Sequence, residues 1–161
     1  DTTVWSFPRP APEFDENVNL ARFAAALASA TGRAEYRDMA DNALRWLLAP
    51  GLAERRGYYV GGLLLAEQEA HTDPLHVMIL GRKDDPAAQA LHAAALRAPT
   101  AHKLVEWWSR GDGPPPRGED IYPDLPKAAA FLCANGACSS PLFSASALEA
   151  KLKKVMEAEL K

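Results

Sequence analysis

The sequence predicts a mixed α/β chain: an N-terminal αα-hairpin and a third helix packed on a small three-stranded, mostly parallel sheet with two flanking helices. Three observations carry this. Apolar residues recur at helical spacing from Asp15 to about Ala70. After Pro74 the pattern changes to short runs of β-forming residues, 75–80 and 102–108, on either side of a helical stretch. The thirteen Pro cluster at the edges of these segments.

Residues 1–14 carry Pro8, Pro10 and Pro12 beside Trp5, Phe7 and Phe14, which reads as an extended lead-in pinned by aromatics. Asp15 is the expected N-cap of the first helix. Leu20, Phe23, Ala24, Leu27 and Thr31 then share one helical stripe, and Gly32 ends the helix. A second helix from Glu35 aligns Tyr36, Met39, Ala40, Ala43, Leu44 and Leu47, and Pro50-Gly51 stops it. Residues 58–70 read as a third helix, so residues 15–70 form a helical segment.

Residues 75–161 form a small α/β segment. Leu75–Leu80 is a buried strand. Asp84-Asp85-Pro86 supplies an N-cap and an N1 proline for a helix ending near Ala98. Residues 102–108 make a second strand, parallel to the first in a βαβ unit. Residues 109–127 hold clustered Pro and Gly and read as a surface excursion. Residues 128–133 are the third strand. The last helix opens with Ser146 and Glu149 as a capping box.

Composition bounds the function more than it defines it. With 161 residues the chain is one domain or two small ones sharing a core. A net charge of −3 with no basic stripe excludes nucleic acid as a first partner. No apolar run is long enough for a membrane span. Two Cys cannot build a multi-bridge secreted scaffold. They suit a free-thiol protein of the cytoplasm or an exported chain with one bridge, and the sequence leans to the cytoplasm. The start at Asp1, with neither Met nor a signal sequence, reads as a processed or excised chain.

Chemistry has few places to sit. Cys133-Ala-Asn-Gly-Ala-Cys138 brings two thiols to a Gly-containing turn, where a disulfide is within reach. Its alternatives are a buried strand Cys beside a small loop Cys, or a metal site. With four residues between them the pair is not the thioredoxin-type Cys-x-x-Cys. A Cys₂His₂ zinc site with His76 and His102 fails on geometry if all strands run parallel, because a strand of five or six residues holds its ends about 17–20 Å apart. An antiparallel third strand removes that objection. A ligand is expected at the carboxyl edge of the sheet, where Lys83, Trp107, Trp108 and Asn135 are the binding candidates. One tryptophan should face the core and the other a partner, since successive side chains alternate across a strand. Asp84-Asp85 argue against phosphate there, as they already complement the helix dipole. No Gly-rich phosphate loop, metal-ligand set or nucleophile–base pair is legible, so no cofactor or metal is expected. Glu16, Asn17 and Asn19 at the first helix start read most simply as capping chemistry.

Four segments carry a family likeness: Asp15-Glu-Asn-Val-Asn19, Thr31-Gly-Arg-Ala-Glu-Tyr-Arg37, Pro74-Leu-His-Val-Met-Ile-Leu-Gly81 and Ala130-Phe-Leu-Cys-Ala-Asn-Gly-Ala-Cys-Ser-Ser-Pro-Leu142. They span roughly residues 15–142. In this order they resemble the C-terminal end of thioredoxin-domain-containing proteins related to spermatogenesis-associated protein 20. Such proteins combine a thioredoxin-like domain with a helical toroid of the N-acylglucosamine 2-epimerase kind. The resemblance implies that residues 15–70 are the last helices of a toroid and that Glu16, Asn17 and Asn19 face its centre. It also implies that the thioredoxin-like and toroid domains of a parent protein are the partners. It assigns no role to Cys133 and Cys138.

The leading expectation is an accessory, non-catalytic domain for packing or partner contact. It predicts an exposed apolar patch on residues 15–70, which self-association could also cover. The alternatives are a thiol-dependent redox module using Cys133 and Cys138, and a piece of an epimerase-like carbohydrate-modifying enzyme. The latter needs a deep carboxylate-lined pocket within residues 15–70.

Overall fold

A computed structural model describes residues 12–115, 122–134 and 136–159. Most of the extended lead-in, part of the Pro/Gly excursion, and Asn135 lie outside the described residues. In chain order the elements are α1 (Phe14–Thr31), α2 (Ala34–Leu47), a short α3 (Leu52–Arg56), α4 (Gly61–His71), β1 (Leu75–Leu80), α5 (Pro86–Arg97), β2 (Lys103–Trp108), a 3₁₀ turn (Arg110–Asp112), β3 (Ala129–Ala134), β4 (Ala137–Cys138) and α6 (Ala145–Glu159). The mixed α/β class is as the sequence predicts. The chain divides into two units, one holding the helices up to His71 and the other the sheet with α5 and α6; residues 27–33, at the end of α1, group with the second.

In the helical unit Phe14, Val18 and Ala21 of α1 meet Ala43, Leu44 and Leu47 of α2 and Leu63 and Ala66 of α4. Ala24, Ala25 and Ala40 extend this core. Small side chains let helices approach closely and fill a seam with little side-chain entropy to lose. The inward stripe of α1 therefore only partly matches the one the spacing suggests, since Ala24 is buried and Leu27 half-buried. Leu20 and Phe23 are exposed, and so is Met39 of α2. Periodicity located an apolar stripe correctly, but the alanine stripe beside it won the interior. Asp15 lies inside the first turn of α1 and not at its cap, and it pairs with Arg56. Arg22 and Glu69 form a two-pronged ion pair, with N–O distances of 2.7 and 2.8 Å. Glu69 raises the Arg22 pKa further through that hydrogen bond.

The second unit holds a four-stranded sheet in the order β2-β1-β3-β4. β1 and β2 are parallel, with Leu75 opposite Lys103 and Leu80 opposite Trp108. Between them Asp85 caps α5, its side chain accepting from the Ala87 N–H at 2.8 Å, with Pro86 following, as the sequence predicts. β3 corrects the expectation of a three-stranded, mostly parallel sheet. It runs antiparallel to β1, with Leu80 opposite Ala129 and His76 opposite Cys133. The reason is the link. A parallel partner needs a crossover to the far edge, usually a helix. The Pro/Gly-rich link instead leaves β2 and re-enters at the same edge, where β3 begins. β4 is a short fourth strand paired antiparallel with β3.

Leu75, Val77 and Ile79 of β1 and Ala130 and Leu132 of β3 pack under α5 and α6, through Leu91, Ala94, Ala95, Leu148 and Leu152. The opposite face carries Met78, Leu80 and Phe131, joined by Trp108, Tyr122 and Leu125. Every residue of β1 is buried. Gly81, directly after β1, has φ +149°, and an added Cβ would stand 2.9 Å from Ala128 Cβ and 3.1 Å from Ala88 Cβ, so only glycine fits. At α6 the cap is Ser144, whose Oγ accepts from the Ala147 N–H at 3.2 Å. Ser146 and Glu149 therefore form no capping box. The helix starts two residues too early for it, and Glu149 pairs with Arg97 at 2.8 Å.

Candidate functional site

The thiol pair is a cross-strand bridge. β3 ends at Ala134 and β4 begins at Ala137, so only Asn135-Gly136 links them. Gly136 takes φ +72°, the left-handed backbone that a tight two-residue hairpin requires. Cys133 and Cys138 stand directly opposite each other, with Cα atoms 4.0 Å apart, and their sulfurs are bonded. The ladder continues beyond them: the Ser139 N–H donates to the Leu132 carbonyl at 2.8 Å and the Leu132 N–H to Ser139 Oγ at 3.1 Å. Cys138 is exposed and Cys133 half-buried. The sequence did hold the signal for this hairpin, since Asn-Gly between two short β segments is the strongest short-range hairpin cue.

A second pair lies beside the bridge. His76 Nε2 is 2.6 Å from Glu106 Oε2, and the two side chains are only 10% and 12% exposed. His76 is the register partner of Cys133 across β1 and β3. Strand alternation puts His76, Glu106 and Cys133 on one face of the sheet, the face of Met78 and Phe131. Sequence reasoning weighed His76 only as a zinc ligand and missed Glu106. A polar residue inside an all-buried strand was the available signal for His76. The β1–β2 offset that brings Glu106 to it is set by tertiary packing and is not written in either strand.

The antiparallel β3 removes the geometric objection to a zinc site, because Cys133 and His76 lie at the same edge. Both sulfurs are committed to the bridge, however, and thiolate is the form that binds metal. Among the described residues no group of three or more His, Cys, Asp or Glu side chains is placed to hold a metal ion.

The same reversal splits the expected ligand edge. Gly81, Lys83, Trp107 and Trp108 stay at the carboxyl ends of β1 and β2, while Cys133 and Cys138 lie at the opposite ends. The described candidates Lys83, Trp107 and Trp108 are therefore separated from the two cysteines. Trp107 turns toward the core under α5, donating Nε1–H to the Gly81 carbonyl at 2.9 Å and lying 4.8 Å from the His92 ring. Trp108 faces the other way, donating to the Gly113 carbonyl at 3.0 Å. It lines a cleft of about 270 Å³ with Gly81, Arg82, Arg110, Asp124 and Leu125. Lys83 stands 3.5 Å from Asp112 and is not part of that cleft. The cleft's arginines are already matched: Arg110 lies 3.2 Å from Asp124, and Arg82 grips Asp84 at 2.9 and 2.6 Å. Those bonds from Arg82 hold the Asp84 carboxyl below its ordinary range and raise the Arg82 pKa in turn.

In the helical unit Glu16 and Asn19 are exposed and Asn17 is half-buried. Asn17 Nδ2 donates to the Glu13 carbonyl at 2.8 Å, which is local helix-start chemistry. Asn17 also borders an open groove between α1 and α2, together with Leu20, Glu35, Asp38 and Met39. The groove holds two carboxylates but lies open on the surface, unlike the deep pocket an epimerase-like site needs. Large apolar side chains are exposed across the helical unit, and Leu20 and Met39 among them line this groove. Leu20, Phe23, Met39, Leu48, Leu64 and Leu65 are 41–63% exposed, and Tyr58 and Tyr59 more so. In the sheet unit only Leu96 and Phe143 of the described residues compare. No described helix is long and apolar enough to cross a membrane.

The chain matches no family model, no curated protein and no solved structure.

Proposed function

We propose that this chain is a docking module without catalysis of its own, whose helical unit packs against further helices. The intended occupant is the helical toroid of a thioredoxin-domain-containing protein of the kind the sequence resembles. One observation carries the reading: α1, α2 and α4 close their core with alanines beside Phe14, Val18, Leu44, Leu47 and Leu63, yet leave Leu20, Phe23, Met39, Leu64 and Leu65 exposed. A helix that closes only its own core carries polar residues on its other face. Covering a leucine or phenylalanine fully is worth about 1.5–3 kcal/mol, so leaving several outside is costly unless a partner covers them. The sheet unit would then act as a rigid anchor. Sedimentation velocity of the chain over a wide concentration range tests this. Uncovered, the face should drive weak self-association that Phe23→Ser with Leu64→Ser abolishes. A monomer at every concentration that also binds no hydrophobic dye contradicts the proposal.

A second reading is a thiol-dependent redox module. The bridged sulfurs with Cys138 exposed favour it, since thiol–disulfide exchange requires access to one sulfur. Intact mass before and after treatment with a dithiol tests it: a gain of two hydrogens at neutral pH supports exchange, and no gain contradicts it.

A further inference from the structure

We propose that Cys133–Cys138 is a thiol–disulfide exchange site in which His76, positioned by Glu106, receives the Cys133 sulfur as leaving group. This rests on the redox reading above.

The two sulfurs differ in surroundings. Cys138 is exposed on a two-residue edge strand. Cys133 lies further in, opposite His76. Side chains directly opposite on antiparallel strands have Cβ atoms about 4.5–5.5 Å apart, close enough for the ring and the sulfur to interact. Glu106, with Oε2 2.6 Å from His76 Nε2, holds the ring in place and would balance its charge when it takes a proton. On this face of β1, β2 and β3 the titratable side chains are His76, Glu106 and Cys133, and Tyr122 packs on Phe131 nearby. A buried His–Glu pair contributes little to stability compared with apolar residues of the same volume, so its presence beside a bridge calls for another role.

The partner is a dithiol. Its thiolate attacks Cys138 Sγ, the Sγ–Sγ bond breaks, and the electron pair departs on Cys133 Sγ. The developing thiolate takes a proton from the protonated His76 ring, which recovers one from water. The second thiol of the partner, losing its proton to solvent, then attacks the partner sulfur held on Cys138. This releases Cys138 as a thiolate that takes a proton from water. The dithiol loses two electrons and two protons, and the chain gains both. A leaving thiol with a stabilised thiolate departs faster, and the same stabilisation favours the reduced form at equilibrium. His76 is the catalytic residue here, and Glu106 acts through it as a positioning residue.

Oxidised full chain is mixed with dithiothreitol at neutral pH, and both the reduction rate and the dithiol–disulfide equilibrium are measured. His76→Gln should slow reduction about tenfold and shift the equilibrium about tenfold toward the disulfide, on the order of 30 mV. Glu106→Gln should move both in the same direction by less. Near-UV circular dichroism checks that each variant is folded. A second comparison needs neither variant: Cys133 alone in Cys138→Ser should react with iodoacetamide at least as fast as the more exposed Cys138 alone in Cys133→Ser. Folded variants with rate and equilibrium unchanged, or a Cys133 that reacts more slowly than Cys138, overturn the proposal. If dithiothreitol never opens the bridge, the redox reading falls with it. A bridge that opens regardless of His76 removes this proposal alone.

Discussion

The two units spend similar apolar content in opposite ways. The sheet unit buries its large side chains: Val77, Met78, Ile79, Leu91 and Leu148 are all essentially inaccessible. The helical unit closes around Ala21, Ala24, Ala40, Ala43 and Ala66, with Phe14, Val18, Leu44, Leu47 and Leu63 as its bulky core residues. Leu20, Phe23, Met39, Leu48, Leu64 and Leu65 stay exposed. The difference teaches that apolar periodicity reports a face and not its direction. Where two stripes on a helix compete, side-chain size shows which kind of contact each makes. Alanines pack helices tightly onto one another within the unit, whereas large exposed residues mark a surface waiting for cover.

Substitutions can break or sharpen this contrast. The largest effect belongs in the sheet. Ile79→Ala opens a cavity between β1 and α5, in a core closed on both sides, and should cost about 2–4 kcal/mol in urea denaturation. A loss below about 1 kcal/mol would mean that the sheet core is looser than its burial indicates. The helical unit relies partly on a polar tie instead. Arg22→Ala leaves Glu69, whose side chain is 12% exposed, with less of its ion pairing. The cost should be about 1 kcal/mol, more than a surface pair but less than a buried one, because Arg22 is over one-third exposed. Urea denaturation again provides the measurement, and an unchanged midpoint would remove Arg22–Glu69 as a tie between α1 and α4.

The smallest effect is in the Arg82–Asp84 clasp at the start of α5. Asp84 has a folded pKa below its unfolded value of about 3.9. Its contribution is therefore present above that value and lost as pH falls through the lower folded pKa. Both groups are solvent-exposed, so the change should be slight and screened by salt. Asp84→Asn should remove that acid-range component from a plot of urea midpoint against pH. A variant with the same acid dependence as the parent chain contradicts this.

Much of the fold is legible in the sequence because its signals are local. Helical spacing locates α1, α2 and α4, and Asp85-Pro86 fixes the start of α5. The β1–α5–β2 order follows from short links that permit only a parallel pair. The direction of β3 was not legible, because it depends on which edge the Pro/Gly-rich link returns to. That one reversal moved Cys133 away from Trp107 and Trp108 and placed it opposite His76. The candidate site was legible in half: Cys133 and Cys138 stand out as the only thiols. Their neighbours His76 and Glu106 do not, since a cross-strand register belongs to the assembled sheet. Phe23 and Met39 were readable as apolar face residues, but not as outward ones.

Carbene footprinting of Phe23, Met39 and Leu64 addresses the docking face most directly. The chain alone is compared with a protein that carries it together with the toroid helices. Docking predicts heavy labelling of all three in the chain alone and strong protection in the longer protein, with Phe143 of the sheet unit unchanged. Equal labelling of the three side chains in both would contradict a docking role for the helical unit.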